Sequence, residues 1–247
     1  QEGRRRLNRQ RRLSSLDLKI LAAVTMLIDH LGITLFPQAV WMRCVGRLAF
    51  PLFAFLIAEG FCRTRSFRRY LLRLLLCAAL SEVPFNLLRS GGPVDPAHQN
   101  VLWTFCIALA ALWCMEQARQ MPGRTARYAV CAASVLAGWM LGMYLRTDYG
   151  GWGVVTVILL ALCRGRDGGW LAMLAGLVCI NGVCLAGQVI HLGPLGFPMQ
   201  LLAALAIVPI SLYDGRRGPG GRGVQLAFYA FYPVHMLVLA LLVQFLS

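Results

Sequence analysis

The stretch Asp17–Phe36, DLKILAAVTMLIDHLGITLF, decides the fold. It is apolar and long enough to cross a bilayer, yet an Asp29-His30 pair stands well inside it. Titratable groups at that depth cost several kcal/mol unless paired, so they are rare and usually functional. Lys19 precedes His30 by eleven residues. At about 100° and 1.5 Å per residue, the two share one helix face about 16 Å apart. A cation at the membrane edge and an imidazole near the middle suit a ligand with an anionic head and a reactive tail.

The rest of the chain repeats the apolar theme. It is 58% hydrophobic and 14% charged, with mean hydropathy +0.64, which excludes a soluble globular domain. The net charge of +14 is mostly arginine, a balance that nucleic-acid binders share. Here the arginine is segregated along the chain, which excludes that class. Apolar spans are expected at about 17–36, 45–62, 70–88, 101–118, 128–145, 150–163, 169–190, 199–213 and 225–246. With the N-terminus in the cytoplasm, 20 Lys and Arg fall on the inner side and only Arg43, Arg47, Arg89 and Arg146 outside. The expected architecture is all-α and polytopic, with about nine transmembrane helices and a cytoplasmic N-terminus. Residues 1–16 form a basic cytoplasmic tail suited to anionic lipid, and 17–247 a single transmembrane domain. The basic-then-apolar start resembles a signal peptide, but its length and its Asp-His pair mark a retained span. Nine cysteines, mostly in apolar runs and without any C-x-x-C, indicate packed thiols rather than disulfides or a metal site.

Several groups have both a structural and a functional reading. Glu59 precedes Arg63 by one turn, the favourable order for a helix ion pair. Arg63, Arg65, Arg68, Arg69 and Arg73 are topogenic charge, but Arg65, Arg69 and Arg73 also repeat every four residues, a row suited to phosphate. Glu82 lies deep in its span beside Pro84, with Asn86 a candidate partner, and is either catalytic or structural. His235 lies about half way across the final span; Pro233 removes an amide donor and frees a carbonyl near Tyr229. His98 and His191 read as solvated. Asp148 and Tyr149 precede a Gly pair, either as a plain turn or as the entrance for an acceptor, and Arg216 and Arg217 make a basic turn or an anion site.

These stretches resemble the TraX family, whose named member acetylates the N-terminus of a conjugative pilin. The resemblance begins at Asp17 and rests on DLKILAAVTMLIDHLG, GRLAFPLFAFLIAEGF with the following TRSFRRY, SEVPFNL, DYG, LYDGRRG and FYAFYPVH. It extends to the broader acyltransferase-3-like enzymes through the Lys19-to-His30 spacing and Arg65-x-x-Arg68. The resemblance implies an acetyl-CoA donor reached from the cytoplasm, no metal, and an acceptor on the far side of a bacterial cytoplasmic membrane. That acceptor is a protein N-terminus, a glycan or a small amine. On this reading His30 is the general base and His235 a second acid/base or oxyanion stabiliser. Asp29, about 100° round the helix from His30, pairs with another span, and Glu82 completes the catalytic candidates. Lys19, Arg65, Arg68, Arg69, Arg73, Arg216 and Arg217 would hold the phosphates. A proton-coupled transporter, or an assembly protein whose polar groups only join helices, is the competing reading.

Overall fold

The computed structural model describes residues 12–192 and 194–246, so the basic tail through residue 11 lies outside the described residues. The described residues are 74% helical. Helix α1 (Ser15–Thr34) begins at a capping box: the Ser14 amide donates to Asp17 Oδ2 at 2.8 Å and the Asp17 amide to Ser14 Oγ at 3.3 Å. Such a cap is worth about 1 kcal/mol. The short α2 (Val40–Gly46) leads into α3 (Ala49–Arg63), followed by α4 (Phe67–Ser90) and α5 (Val101–Ala118). Helices α6 (Arg124–Tyr144), α7 (Gly150–Cys163) and α8 (Gly169–Cys179) complete the middle of the chain. A small antiparallel hairpin, β1 (Val189–Leu192) and β2 (Leu195–Pro198), precedes a 3₁₀ helix (Met199–Ala206), α9 (Ile207–Ser211) and α10 (Arg222–Leu246).

Five helical stretches among the described residues are long and apolar enough to cross a membrane: Val40–Arg63, Phe67–Ser90, Val101–Ala118, Arg124–Tyr144 and Gly223–Leu246. Gly150–Cys163, Gly169–Cys184 and Met199–Ser211 are apolar but shorter. Helices α3 and α5 form the centre of the bundle, and most of their residues are buried. Only Gly138 and Gly142 of α6 are buried, which leaves that helix on the periphery. Leu76, Leu80, Leu136, Met140, Val238 and Leu241 face outward, an apolar surface that water would disfavour and lipid would not.

Two expected boundaries move. The second span starts earlier, because α2 and α3 continue one another across Arg47–Leu48. The 169–190 span stops being helical sooner: α8 passes into a π turn at Ile180–Cys184, and the chain then enters the hairpin. The run ends at Leu185, whose amide donates to the Ile180 carbonyl, and Gly187, at φ +61°, takes the left-handed backbone in the turn before the hairpin. The hairpin is the exception to an all-α fold. All nine cysteines are free, as expected, but only Cys77 and Cys106 are fully buried.

The start of α1 is pinned to the loop before α10. The Leu13 amide donates to the Leu212 carbonyl at 2.9 Å, the Asp214 amide to Leu13 at 3.1 Å, and the Ser15 amide to Arg216 at 2.8 Å. Gly218, at φ +78°, closes this junction, where a Cβ would lie 2.5 Å from Ser14 Oγ. These bonds bring the base of Lys19 beside the Arg216-Arg217 turn at the arginine-rich end of the bundle.

Candidate active site

Helices α1 and α10 pack together and place the two mid-helix histidines in contact. His30 Nδ1 lies 2.7 Å from His235 Nε2, with the rings stacked at 10° and centroids 5.0 Å apart. His235 Nδ1 lies 2.6 Å from the Phe231 carbonyl. A carbonyl only accepts, so Nδ1 of His235 carries the proton. In a neutral ring, Nε2 of His235 is then an acceptor, and the bond between the rings is donated by His30 Nδ1. The remaining nitrogen, His30 Nε2, is left with a free lone pair. The backbone of α10 thereby sets the tautomer of both rings and makes His30 Nε2 the basic atom. Pro233 acts as expected on its helix: the freed Tyr229 carbonyl accepts from Cys77 Sγ at 3.5 Å.

A cavity of about 820 Å³ runs from the arginine-rich end toward this pair, within the usual size of a small-molecule site. Lys19, Arg63, Arg65, Arg73 and Arg217 line its mouth. Tyr70, Leu102, Phe105 and Phe228 line its walls, and Met26, Phe231 and Tyr232 its deep end. Met26 stands one helical turn before His30, and Phe231 stacks on His235 with centroids 4.7 Å apart. The ring of Phe228 lies 6.0 Å below Lys19 Nζ. The cavity can therefore hold an anion at its basic end, and its far end reaches residues in contact with the histidine pair, although neither histidine itself lines it.

Glu59, on the cavity wall, anchors the mouth. Its carboxylate pairs with Arg63 and Arg164 and accepts from Tyr213 Oη at 2.6 Å. The i,i+4 pair with Arg63 was legible from spacing; Arg164 and Tyr213 come from distant segments and carried no sequence signal. Asp29 pairs outside its own helix, as expected. Arg47 Nη2 donates to both its oxygens at 2.6 and 2.8 Å, and Arg43 Nη1 lies 2.8 Å from Oδ1. Arg47 also donates to Gln200 Oε1 at 3.0 Å, and Gln200 to Asn181 Oδ1 at 3.0 Å. Gly46 makes the approach possible, since a Cβ there would overlap the Asp29 carboxylate.

Other candidates fall elsewhere. The row Arg65, Arg69, Arg73 is not one helix face, because Ser66 is extended and α4 starts at Phe67. Arg65 and Arg73 line the cavity, whereas Arg68 and Arg69 are exposed and outside its lining. Arg216 pairs with Asp214, leaving Arg217 on the cavity. The Arg216 amide and guanidinium hold the Asp214 carboxyl below its usual range. Glu82 does not partner Asn86. It accepts from Asn100 Nδ2 and from Trp103 Nε1 at 2.9 Å, and Asn86 donates instead to the Pro93 carbonyl at 3.3 Å. Asp148 sits in the loop before α7, where burial pushes its carboxyl up. Tyr149 stacks on Phe50 at 3.8 Å between centroids, with φ +62°, and neither residue lines the cavity.

The comparisons with known proteins bear on the same residues. A protein of Dichelobacter nodosus, "Probable fimbrial assembly protein FimC, serogroup H1", is 28% identical over 95% of this chain and 97% of its own length. An uncharacterised protein of Rickettsia prowazekii is 46% identical over 18% of each chain. No solved structure matches. The family model described as TraX protein matches residues 14–243, a range that takes in both histidines and the cavity, and the chain belongs to the TraX family.

Proposed function

We propose that this protein is a membrane-embedded acyltransferase that moves an acyl group, acetyl in the first instance, from cytoplasmic acyl-CoA to an amine or hydroxyl at the outer side. The observation that carries the reading is a cavity with a basic mouth whose far end is lined by Met26, Phe231 and Tyr232, the residues that flank the His30–His235 pair. Lys19, Arg63, Arg65, Arg73 and Arg217 would hold the phosphates, and the walls would guide the arm of the donor toward the histidines. His30 Nε2 takes the proton of the acceptor as its nitrogen or oxygen attacks the thioester carbonyl. The C–S bond breaks, and the leaving thiolate recovers that proton from His30. Such a base typically contributes about 10²–10⁴-fold. His235, with its own proton committed to Phe231, holds the His30 ring in place through Nε2.

On this reading the chain crosses a bacterial cytoplasmic membrane nine times from a cytoplasmic N-terminus. Residues 1–16 are a basic tail against anionic lipid, and 17–247 are a single transferase domain. The acceptor is a protein N-terminus, a glycan or a small amine; the fimbrial name of the Dichelobacter relative and the family's pilin acetylation favour the first. The test is thiol release from acetyl-CoA by purified protein, with and without membrane extract. Release that depends on the extract is expected. Tight CoA binding with release no faster than in the absence of protein would overturn the reading in favour of a transport or assembly role.

A further inference from the structure

On the other side of α3 from the histidine cavity, a second hollow of about 420 Å³ opens between the arginine-rich ends of α3, α5, α6 and α7. Four arginines from three segments converge on it: Arg119 just past α5, Arg124 and Arg127 at the start of α6, and Arg166 after α7. Glu116, the carboxylate in its lining, pairs with Arg119 at 2.9 Å. Arg127 donates Nε to the Met121 carbonyl at 3.0 Å, which leaves its terminal nitrogens free of that bond. Among the described residues, Arg124 and Arg166 have no carboxylate partner. The hollow therefore keeps an excess of positive charge, although its floor is apolar, built from Phe61, Leu112, Met115 and Leu162.

Topogenic arginines need only lie on one side of the membrane. Here they face a shared trough, and the trough leads onto the outward face of α6, the least buried of the membrane-length helices. Guanidinium forks match phosphate oxygens, and an apolar floor matches a hydrocarbon tail. Tyr128, exposed at the same end, suits the headgroup level of a bilayer. We propose that this hollow binds one anionic phospholipid from the leaflet at the arginine-rich end. Its phosphate sits on Arg124 and Arg166, and an acyl chain lies along α6. The site is separate from the transfer chemistry and stands whether or not that chemistry is acyl transfer.

The experiment is native mass spectrometry of the full-length protein taken from mixed micelles of phosphatidylglycerol and phosphatidylcholine. The wild type retains phosphatidylglycerol in preference. Arg124→Gln/Arg166→Gln loses that retention roughly tenfold, as expected for the loss of charge-assisted bonds. Arg68→Gln/Arg69→Gln removes the same charge from the same end, outside the hollow, and retains lipid like the wild type. Equal retention of phosphatidylcholine, or equal loss in the Arg68/Arg69 control, overturns the proposal in favour of surface charge. Displacement by inorganic phosphate alone overturns it in favour of a free-anion site. If the double variant melts early, Arg166→Gln, in an exposed turn, gives the same reading with a smaller loss.

Discussion

Asp29 and Glu59 are both enclosed carboxylates clasped by two arginines. At Asp29 the partners are well covered, with side chains 24% exposed for Arg43 and 13% for Arg47. At Glu59 the acid is 4% exposed, but Arg63 and Arg164 keep 34% and 28% of their side chains open. Glu59 and Arg63 line the cavity; Asp29, Arg43 and Arg47 do not. The Asp29 cluster instead ties α1 to α2, and through Gln200 and Asn181 to the 3₁₀ helix and the π turn after α8. The same chemical motif thus has two uses. Away from the cavity it fastens helices together, and where its acid and one arginine line the cavity it prepares a ligand mouth.

The largest effect is expected at the histidine pair. His30→Gln should fold and bind CoA but lose turnover by about 10²–10⁴-fold, because it keeps hydrogen-bonding groups and loses basicity. Thermal stability, CoA binding and turnover measured on one preparation decide this. Near-normal turnover would remove His30 as the base and move attention to His235.

Next in size is Asp29→Asn, which leaves two covered arginines unpaired. Breaking such a cluster costs about 3–5 kcal/mol, so the melting temperature should fall while the CoA affinity of the folded fraction stays near wild type. Should CoA affinity collapse without loss of stability, the division of labour between the clusters is wrong. Glu59→Gln should cost less stability, about 1–3 kcal/mol, because Arg63 and Arg164 reach water. It should weaken CoA binding as well, since Arg63 and Tyr213 lose their anchor.

Arg73→Ala/Arg217→Ala leaves both clusters intact and should reduce CoA affinity about tenfold, with a flatter dependence on salt than the wild type. Titration calorimetry at two ionic strengths measures both. The smallest effect is expected at Asp214, outside the helices. Its folded carboxyl is held below the unfolded value, so its contribution is present above about pH 3.9 and lost as pH falls through the folded value. Faster amide exchange at Arg216 on acidification would register it, and Asp214→Asn should abolish that pH dependence.

Much of this arrangement was legible before any coordinate. Hydropathy and the one-sided arginines identify the helices, because a bilayer requires long apolar runs whatever their neighbours are. The i,i+4 pair Glu59–Arg63 and the carbonyl freed by Pro233 are local consequences of helix geometry, and each reappears in the fold, whereas of the pair Lys19 and His30 only Lys19 lines the cavity. The arginine row failed because Ser66 interrupts the helix it required. Asn86 stood as the candidate partner of Glu82 because a partner one turn away is the only one that spacing can suggest; the actual donors are Asn100, which caps the start of α5, and Trp103 on α5.

What the sequence determined by itself is therefore what depends on one helix at a time: its length, its polar face, its caps and its family likeness. The tertiary structure alone decided which helices are neighbours. That decision put His30 against His235, gave Glu59 the distant Arg164 and Tyr213, and gave Asp29 the arginines that had been counted only as outer charge. The reason is physical. Periodicity specifies which residues share a face, but the partner of that face is chosen by packing over the whole bundle. A ring tautomer, a cavity and a clasped carboxylate exist only once two such faces have met.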